Sequence, residues 1–323
     1  MPLCRVFLFA AFLTTVLSPP VFSQSWKVHS TGHRGDLIAI HFTSSSKGFI
    51  AGDDGYLAST VDAGRTWQSY PLKTTENINE IYFRNEDNGY LVAGRKLFIT
   101  SDGGNSWMET RIGTPAMFGR GIPEYLSIRF ADKKRGLAVG ALLDEKGEYV
   151  LESLVMRTDD GGETWSRIAV PTKVELFHLD FDGNSRAWIV GDKGTVLATT
   201  DGGLNWRLQE TGADRALFNV DFRDDELGFA VGGGGTILRT EDGGRNWVKV
   251  ETPFTETLKR VDFADDKNGW VVGHKGTILR SADKGRTWVR QDCGTDDDLY
   301  GLYIVKRYGW AVGANGTLVE YLR

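Results

Sequence analysis

The chain has 323 residues and a mass of 35.8 kDa, with a formal net charge of −5 and a sequence pI near 5.6. This mild acidity argues against a nucleic-acid-binding protein, which normally carries a basic stripe. The 40 glycines follow no three-residue period, which excludes collagen and indicates many tight turns, and a hydrophobic content of 41% is sufficient for a buried core.

The first segment, Met1–Ser23, is predicted to be a secretory signal peptide. A single arginine precedes an apolar run, Val6–Val16, which is followed by two prolines and a small-residue cleavage site before Gln24. The run is short for a membrane span, although an anchor helix is the alternative. We therefore expect an exported protein of the periplasm or the extracellular space, with no membrane span after cleavage and one domain over Gln24–Arg323.

The cysteines predict neither a disulfide nor a metal site. Cys4 lies before the apolar run and not at the cleavage point, so it is not placed for lipid attachment. Cys293 is the only cysteine of the expected mature chain. We expect no cofactor and no bound metal.

Two motifs then recur along the chain. The first, Ser/Thr-x-Asp-x-Gly-x-Thr/Ser/Asn-Trp, occurs six times, with its tryptophans 40, 58, 41, 41 and 41 residues apart. The second, Gly-aromatic-x-Val-Gly, occurs seven times in strict or looser form, for example at Gly269–Gly273. The aspartates and tryptophans of the first motif are Asp62, Asp102, Asp160, Asp201, Asp242 and Asp283, and Trp67, Trp107, Trp165, Trp206, Trp247 and Trp288. A period near 41 is typical of a β-propeller blade.

Each repeat is predicted to form four short strands. In one copy these are Leu258–Phe263, Gly269–Gly273, Thr277–Ser281 and Thr287–Gln291. The last repeat has no fourth strand, and Ser25–Ser30 has the spacing needed to supply it. The sequence therefore predicts an all-β fold, a seven-bladed β-propeller of four-stranded blades whose ring is closed by an N-terminal strand.

The first motif falls in the hairpin between the third and fourth strands. Its aspartate can accept N–H groups of the turn, its glycine can adopt positive φ, and its tryptophan can pack over the hairpin and between blades. A residue repeated in every blade is architecture far more often than a catalytic group. We assign these residues a structural role.

Two insertions interrupt the repeat, and both fall in the third blade. One adds seven residues around Thr114–Leu126, and the other adds ten around Ala141–Val150. Because the strands alternate in direction, both insertions lie on the face opposite the motif hairpins. Long loops held by a rigid scaffold often carry binding residues.

These insertions are the predicted site for a protein partner. Arginine and aromatic side chains are common anchors of protein interfaces. The alternative is that the insertions form an extra hairpin that packs on itself. The candidate binding residues are Arg111, Phe118, Arg120, Tyr125, Lys146 and Tyr149.

A second pattern follows the innermost strands. Equivalent positions read His41, Tyr82, Arg129, Asp180, Asp221, Asp262 and Tyr303. Three adjacent acids could hold a cation. We favour the other interpretation, that these side chains join neighbouring blades through backbone hydrogen bonds.

The repeated motif is the Asp-box, or BNR repeat, of sialidase-like propellers. Combined with Gly269–Gly273 and with Gly-Thr-Ile-Leu-Arg at Gly276–Arg280, the sequence over Gln24–Arg323 resembles the photosystem II stability/assembly factors and their bacterial relatives. The resemblance implies an exported, monomeric, non-catalytic scaffold that binds a protein, such as a membrane subunit. Photosynthetic members assist assembly of the D1 reaction-centre subunit at the thylakoid lumen. In an organism without photosystems, the resemblance implies binding of an envelope protein.

The alternative function is an Asp-box glycoside hydrolase of the sialidase type. Such an enzyme needs three arginines, a tyrosine nucleophile with a glutamate partner, and an acid/base aspartate. The nearest string to its N-terminal Arg-Ile-Pro signature is Arg120-Gly121-Ile122-Pro123, which is interrupted and lies in the third blade. The sequence therefore favours a non-catalytic scaffold.

Overall fold

The computed structural model describes residues 26–321, which form seven four-stranded sheets. The strands are β1 (Trp26–Ser30), β2 (Leu37–Phe42), β3 (Gly48–Gly52), β4 (Leu57–Thr60), β5 (Gln68–Tyr70), β6 (Ile78–Phe83), β7 (Gly89–Ala93), β8 (Lys96–Thr100), β9 (Met108–Thr110), β10 (Ile122–Phe130), β11 (Gly136–Leu143), β12 (Val150–Thr158), β13 (Ser166–Arg167), β14 (Leu176–Asp182), β15 (Arg186–Gly191), β16 (Val196–Thr199), β17 (Arg207–Leu208), β18 (Leu217–Phe222), β19 (Leu227–Gly232), β20 (Ile237–Glu241), β21 (Val248–Lys249), β22 (Leu258–Phe263), β23 (Gly269–Gly273), β24 (Thr277–Ser281), β25 (Val289–Gln291), β26 (Leu299–Ile304), β27 (Gly309–Gly313) and β28 (Thr317–Tyr321).

Consecutive strands pair in antiparallel fashion within each sheet, and the sheets are the blades of a propeller. Blades 1 to 6 are β2–β5, β6–β9, β10–β13, β14–β17, β18–β21 and β22–β25, and blade 7 is β26–β28 with β1. The first strand of each blade contacts the first strands of both neighbours, so these strands surround the axis. The predicted seven-bladed, all-β fold is confirmed.

Strand β1 closes the ring, as the repeat count predicts. It pairs with β28, from Trp26 opposite Tyr321 to Ser30 opposite Thr317. The Trp26 side chain is 1% exposed, and its indole Nε1 donates a hydrogen bond of 3.0 Å to Gln291 of blade 6. The last blade therefore combines both ends of the described chain.

The Asp-box hairpins have the predicted hydrogen bonds. In blade 1, the hydroxyl of Thr60 donates to Asp62 Oδ1 at 2.7 Å, and the N–H of Thr66 donates to the same oxygen at 2.9 Å. The hydroxyl of Thr66 donates to Asp62 Oδ2 at 2.6 Å. These hydrogen bonds, first of all that of the Thr66 side chain, lower the pKa of Asp62 to about 2. Both carboxylate oxygens of the aspartate accept hydrogen bonds from the same hairpin. The Asp-box aspartate therefore has a structural role.

The Asp-box tryptophan packs over its own hairpin and also contacts the preceding blade, as predicted. Trp107 of blade 2 lies edge-on to Phe49 of blade 1, with ring centroids 6.4 Å apart. Trp107 packs edge-on against Phe83 of blade 2, with ring centroids 5.8 Å apart. Phe49 also stacks on Phe83 at 4.9 Å. Gly104 lies over Phe49 with φ of +84°, and a Cβ there would be 2.5 Å from the phenyl ring. The glycine is thus required both for the turn of blade 2 and for the close approach of Phe49 from blade 1.

The predicted signal peptide, Met1–Ser23, lies outside the described residues. Within residues 26–321, no helix is long and apolar enough to cross a membrane. Cys293 is 2% exposed, and its thiol donates to the carbonyl of Gly276 at 3.0 Å. Cys293 is therefore a core residue, and its burial raises the pKa of the thiol.

Candidate functional site

The two insertions of blade 3 lie side by side at one end of its sheet. Ile122 at the start of β10 pairs with Leu143, and Leu143 pairs with Val150 at the start of β12. We call this side of the propeller the insertion face. The second insertion forms a tight turn in which Asp144 Oδ1 accepts the N–H of Glu148 at 2.7 Å. Blade 3 therefore extends beyond the other blades as a hairpin.

Two of the predicted binding residues, Phe118 and Tyr125, are buried and do not present exposed rings to a partner. Tyr125 is 0% exposed, and its hydroxyl donates to the carbonyl of Ile112 at 2.7 Å. Phe118 is 9% exposed and belongs to the same apolar cluster, together with Leu142 and Met156. These rings fix the insertions to the blade. One side of the extension thus packs on itself, as the alternative interpretation held.

The other predicted residues are exposed at the edge of this packed layer. Arg120 lies 3.5 Å from Glu145 of the second insertion, with 89% and 64% of the two side chains exposed. Such an exposed ion pair contributes little to stability. Arg111, Lys146 and Tyr149 are also exposed. These four side chains are available to a partner.

The hairpin tip also exposes two apolar residues that the sequence analysis did not select. Tyr149, Val150 and Leu151 are 68%, 39% and 48% exposed. Successive side chains of a strand point to opposite faces, so exposure of all three means that the tip stands clear of the blade on both sides. Three consecutive apolar residues inside a polar insertion were the signal in the sequence. We call Tyr149–Leu151 the apolar tip.

A basic groove runs between blade 2 and the first insertion. It has a volume of about 400 Å³, and its walls include Arg95, Lys96, Arg111, Pro115 and Phe118. One carboxylate, that of Glu109, also lines it and lies 3.3 Å from Lys96 Nζ. Because Glu109 offsets the charge of Lys96, Arg95 and Arg111 give the groove a net positive charge. This charge favours acidic segments of a partner.

A buried ion cluster near the axis was missed by the sequence analysis. Glu80 is 2% exposed, and its Oε1 lies 2.7 Å from Arg129, 3.2 Å from Arg260 and 3.4 Å from His178. Burial opposes ionisation of Glu80, but Arg129 and His178 hold its pKa well below the usual range. Burial and the charge of Arg260 lower the pKa of His178 to about 3, so this ring is neutral. We call these four residues the axial ion cluster.

The acidic row of the inner strands joins blades, as favoured above. Asp180 Oδ2 accepts the N–H of Phe222 at 2.8 Å, and Asp262 Oδ2 accepts the N–H of Ile304 at 3.0 Å. Asp221 is the exception and lies 3.8 Å from Arg223. Within residues 26–321, no group of three or more metal-ligating side chains is arranged to hold an ion.

The fold and its six Asp-boxes define a seven-bladed β-propeller of the BNR-repeat type, and the comparisons identify its family. The sequence profile described as "Photosynthesis system II assembly factor YCF48" matches residues 63–175, 122–206, 157–252 and 245–322, which together span most of the chain. The protein belongs to this family. The family is one of assembly factors and not of enzymes, which favours the scaffold interpretation over the glycoside hydrolase alternative.

Individual relatives agree with this assignment. The chain is 29% identical over 153 residues to the photosystem II assembly lipoprotein Ycf48 of Synechococcus sp. (strain CC9902), covering 46% of this chain and 41% of the relative. The chain thus aligns with less than half of that protein. A solved structure of YCF48 bound to D1 peptide has a TM-score of 0.76 at 19% identity, covering 94% of this chain and 99% of the other.

The same fold also occurs in enzymes. A GH74 xyloglucanase from Xanthomonas campestris has a TM-score of 0.68 at 12% identity, and the match covers 92% of this chain but 54% of the enzyme. Identity at this level reflects the fold alone.

Proposed function

We propose that this protein is an exported, monomeric scaffold that binds a segment of another protein on the insertion face of blade 3. The observation that carries the proposal is the apolar tip, Tyr149–Leu151, which is exposed on a rigid extension of the sheet. Contiguous exposed apolar patches on a protein surface often mark sites of protein interaction. Exposed Arg111 lies in the wall of the basic groove, and exposed Arg120 and Lys146 belong to the two insertions.

The partner we propose is a membrane protein with an acidic and apolar exported segment. The basic groove supplies Arg95 and Arg111 for its acidic side chains, and the apolar tip supplies contact area. The relative solved with a D1 peptide supports a peptide-like ligand. If the source organism is photosynthetic, we propose a reaction-centre subunit as the partner, and otherwise another envelope protein.

Export is proposed from the leader-like segment Met1–Ser23. The Synechococcus relative is named a lipoprotein, which is in keeping with an exported family. The compartment would be the periplasm or the extracellular space, and the thylakoid lumen in a photosynthetic cell.

The proposal is tested by affinity capture of membrane proteins with the mature domain, followed by mass spectrometry. The variant Tyr149→Ser with Leu151→Ser removes the apolar tip, and Arg111→Glu reverses charge in the groove. If these residues are hot spots of the interface, each change should reduce recovery of the partner at least tenfold, since truncating a hot spot costs about 2 kcal/mol or more. Because all three side chains are exposed, the melting temperature should be unchanged.

The matched control is Val248→Ser. Val248 is 66% exposed on the outermost strand of blade 5, far along the chain from the insertions, and should not affect capture. Equal recovery of the same partner by the tip variant, the groove variant and the control would refute the blade 3 face as the binding site.

A further inference from the structure

Each blade contributes one residue to a ring at the mouth of the central channel. The first strand of every blade has an irregular register near its start, where one residue is skipped in the pairing with the second strand. A residue skipped in this way is free of the ladder and can turn towards the axis. The seven skipped residues are Ile38, Asn79, Leu126, Phe177, Phe218, Lys259 and Tyr300. All seven line a single pocket of about 310 Å³, which opens on the insertion face.

The wall of this pocket is mainly apolar and carries one ammonium group. The rings of Phe177 and Phe218 pack at 5.1 Å, and Lys259 Nζ lies 3.8 Å from the centre of the Phe218 ring. The carboxylate of Asp298 acts on this ammonium through its charge, but among the described residues it forms no ion pair of 4.0 Å or less with Lys259. Burial lowers the pKa of Lys259. A half-buried ammonium whose close partner is an aromatic face is poorly neutralised and would gain from an anion.

The charge around the pocket is complementary to an anion. Arg260 also lines the pocket, and its guanidinium shares the carboxylate of Glu80 with Arg129. Glu80 is the carboxylate in direct contact with both guanidinium groups, and the charges of Asp180 on Arg129 and of Asp221 on Arg260 act from further away. The single acid in the pocket wall, Asp36, already accepts the N–H of Asn315 at 3.2 Å.

The axial ion cluster closes the inner end of the pocket. Glu80 belongs to blade 2 and Arg260 to blade 6, which are not neighbours in a ring of seven, so their 3.2 Å contact spans the axis. A volume of about 310 Å³ lies at the small end of ligand sites. A polypeptide cannot pass through such a pocket, but its last two or three residues can enter it.

We propose that the channel mouth binds the C-terminal carboxylate of a protein partner, with an apolar final side chain. The carboxylate pairs with Lys259 and Arg260, and the final side chain packs against Phe177 and Phe218. This inference rests on the proposed function in that the ligand is part of a protein. It places a second contact with the partner on the propeller axis, in addition to the contact at the blade 3 face.

The test uses labelled hexapeptides whose last two positions vary among Leu, Phe, Val and Ala. Each is made with a free C-terminal carboxylate and as the amide, and binding to the full chain is followed by fluorescence anisotropy. The peptides with the free carboxylate should bind at least tenfold more tightly than their amides. Lys259→Gln should remove this preference, whereas Lys259→Arg, which keeps the charge, should retain it.

The matched control is Lys73→Gln, an exposed lysine in the connection before β6 on the same face. It should leave both affinities unchanged. The inference is overturned if no peptide binds, if acids and amides bind equally, or if Lys259→Gln behaves like the control. The tip variant Tyr149→Ser with Leu151→Ser should keep peptide binding while losing partner capture, so failure of either proposal can be recognised separately.

Discussion

Asp221 differs from the two aspartates at the equivalent positions of the neighbouring blades. Asp180 and Asp262 each accept a backbone N–H from the next blade, whereas Asp221 Oδ2 has no hydrogen-bond partner within residues 26–321. Burial and the charge of Asp221 raise the pKa of Asp180 and of Asp262 to about 7. Both carboxyl groups therefore hold a proton more tightly in the folded protein than in the unfolded chain.

The raised pKa values of Asp180 and Asp262 make the stability of the fold depend on pH. Because the folded state binds more protons between the unfolded pKa near 3.8 and the folded pKa of about 7, stability falls as the pH rises through this range. Asp221→Asn removes the charge that raises both neighbouring pKa values. Since one pKa unit corresponds to about 1.4 kcal/mol, the variant should melt roughly 2–4 °C higher at pH 8 and gain less on going to pH 5.

The measurement is scanning calorimetry at pH 5 and pH 8, with Asp266→Asn as the control. Asp266 is an exposed acid in the turn after β22, and its removal should leave the pH dependence unchanged. An Asp221→Asn profile parallel to that of the unmodified protein would contradict the assignment. Below about pH 4 the trend reverses, since protonation of Asp-box carboxylates such as Asp62, with its pKa of about 2, destabilises the fold.

At the scale of elements, the blade 3 hairpin separates into a structural base and an exposed end. Leu142, 6% exposed, packs in the base, whereas residues 144–149 form the turn beyond it. Leu143 and Val150 pair directly, so a two-residue Asn-Gly turn can join them. Replacing residues 144–149 in this way should change the melting temperature by less than about 3 °C, because little apolar area is lost.

The comparison variant for this prediction is Leu142→Ala. It removes a buried side chain from the base and should destabilise the protein by about 2–5 kcal/mol. Thermal unfolding followed by circular dichroism distinguishes the two changes. If the shortened hairpin were as unstable as Leu142→Ala, the turn would be part of the core and would not be free for a partner.

The elements differ in how far the sequence could predict them. The strands of blade 6 were predicted almost to the residue, since Leu258–Phe263, Gly269–Gly273 and Thr277–Ser281 repeat a pattern that occurs along the whole chain. The insertion in blade 3 has no second copy to compare. Whether Tyr125 faces the core or solvent there depends on the carbonyl of Ile112, a tertiary contact that periodicity does not encode.

The tertiary contacts of charged residues likewise could not be predicted from the repeat pattern. Glu80 aligns with Ser127 and Asn219 in other blades, and each of these accepts a backbone N–H from the next blade. That shared position predicts a hydrogen-bonding role. The ion pair with Arg260 across the axis joins residues 180 positions apart and follows only from the closed ring.

For the whole molecule, strand β1 is the element on which closure depends. It contributes five residues to blade 7 and buries Trp26 against Tyr321 and Trp270. Without it, β28 would become an exposed edge strand with unpaired backbone groups. Losing a buried tryptophan alone costs about 3–5 kcal/mol.

A chain that begins at residue 31 should therefore melt roughly 10 °C or more below a chain that begins at residue 25. A synthetic peptide of residues 25–31 should raise the lowered melting temperature in a concentration-dependent way, because it binds the folded state and not the unfolded one. The same peptide with Trp26 replaced by Ala serves as the control and should have little effect. Identical melting curves for the two chains would mean that blade 7 is stable with three strands, and that pairing of β1 with β28 does not hold the ring closed.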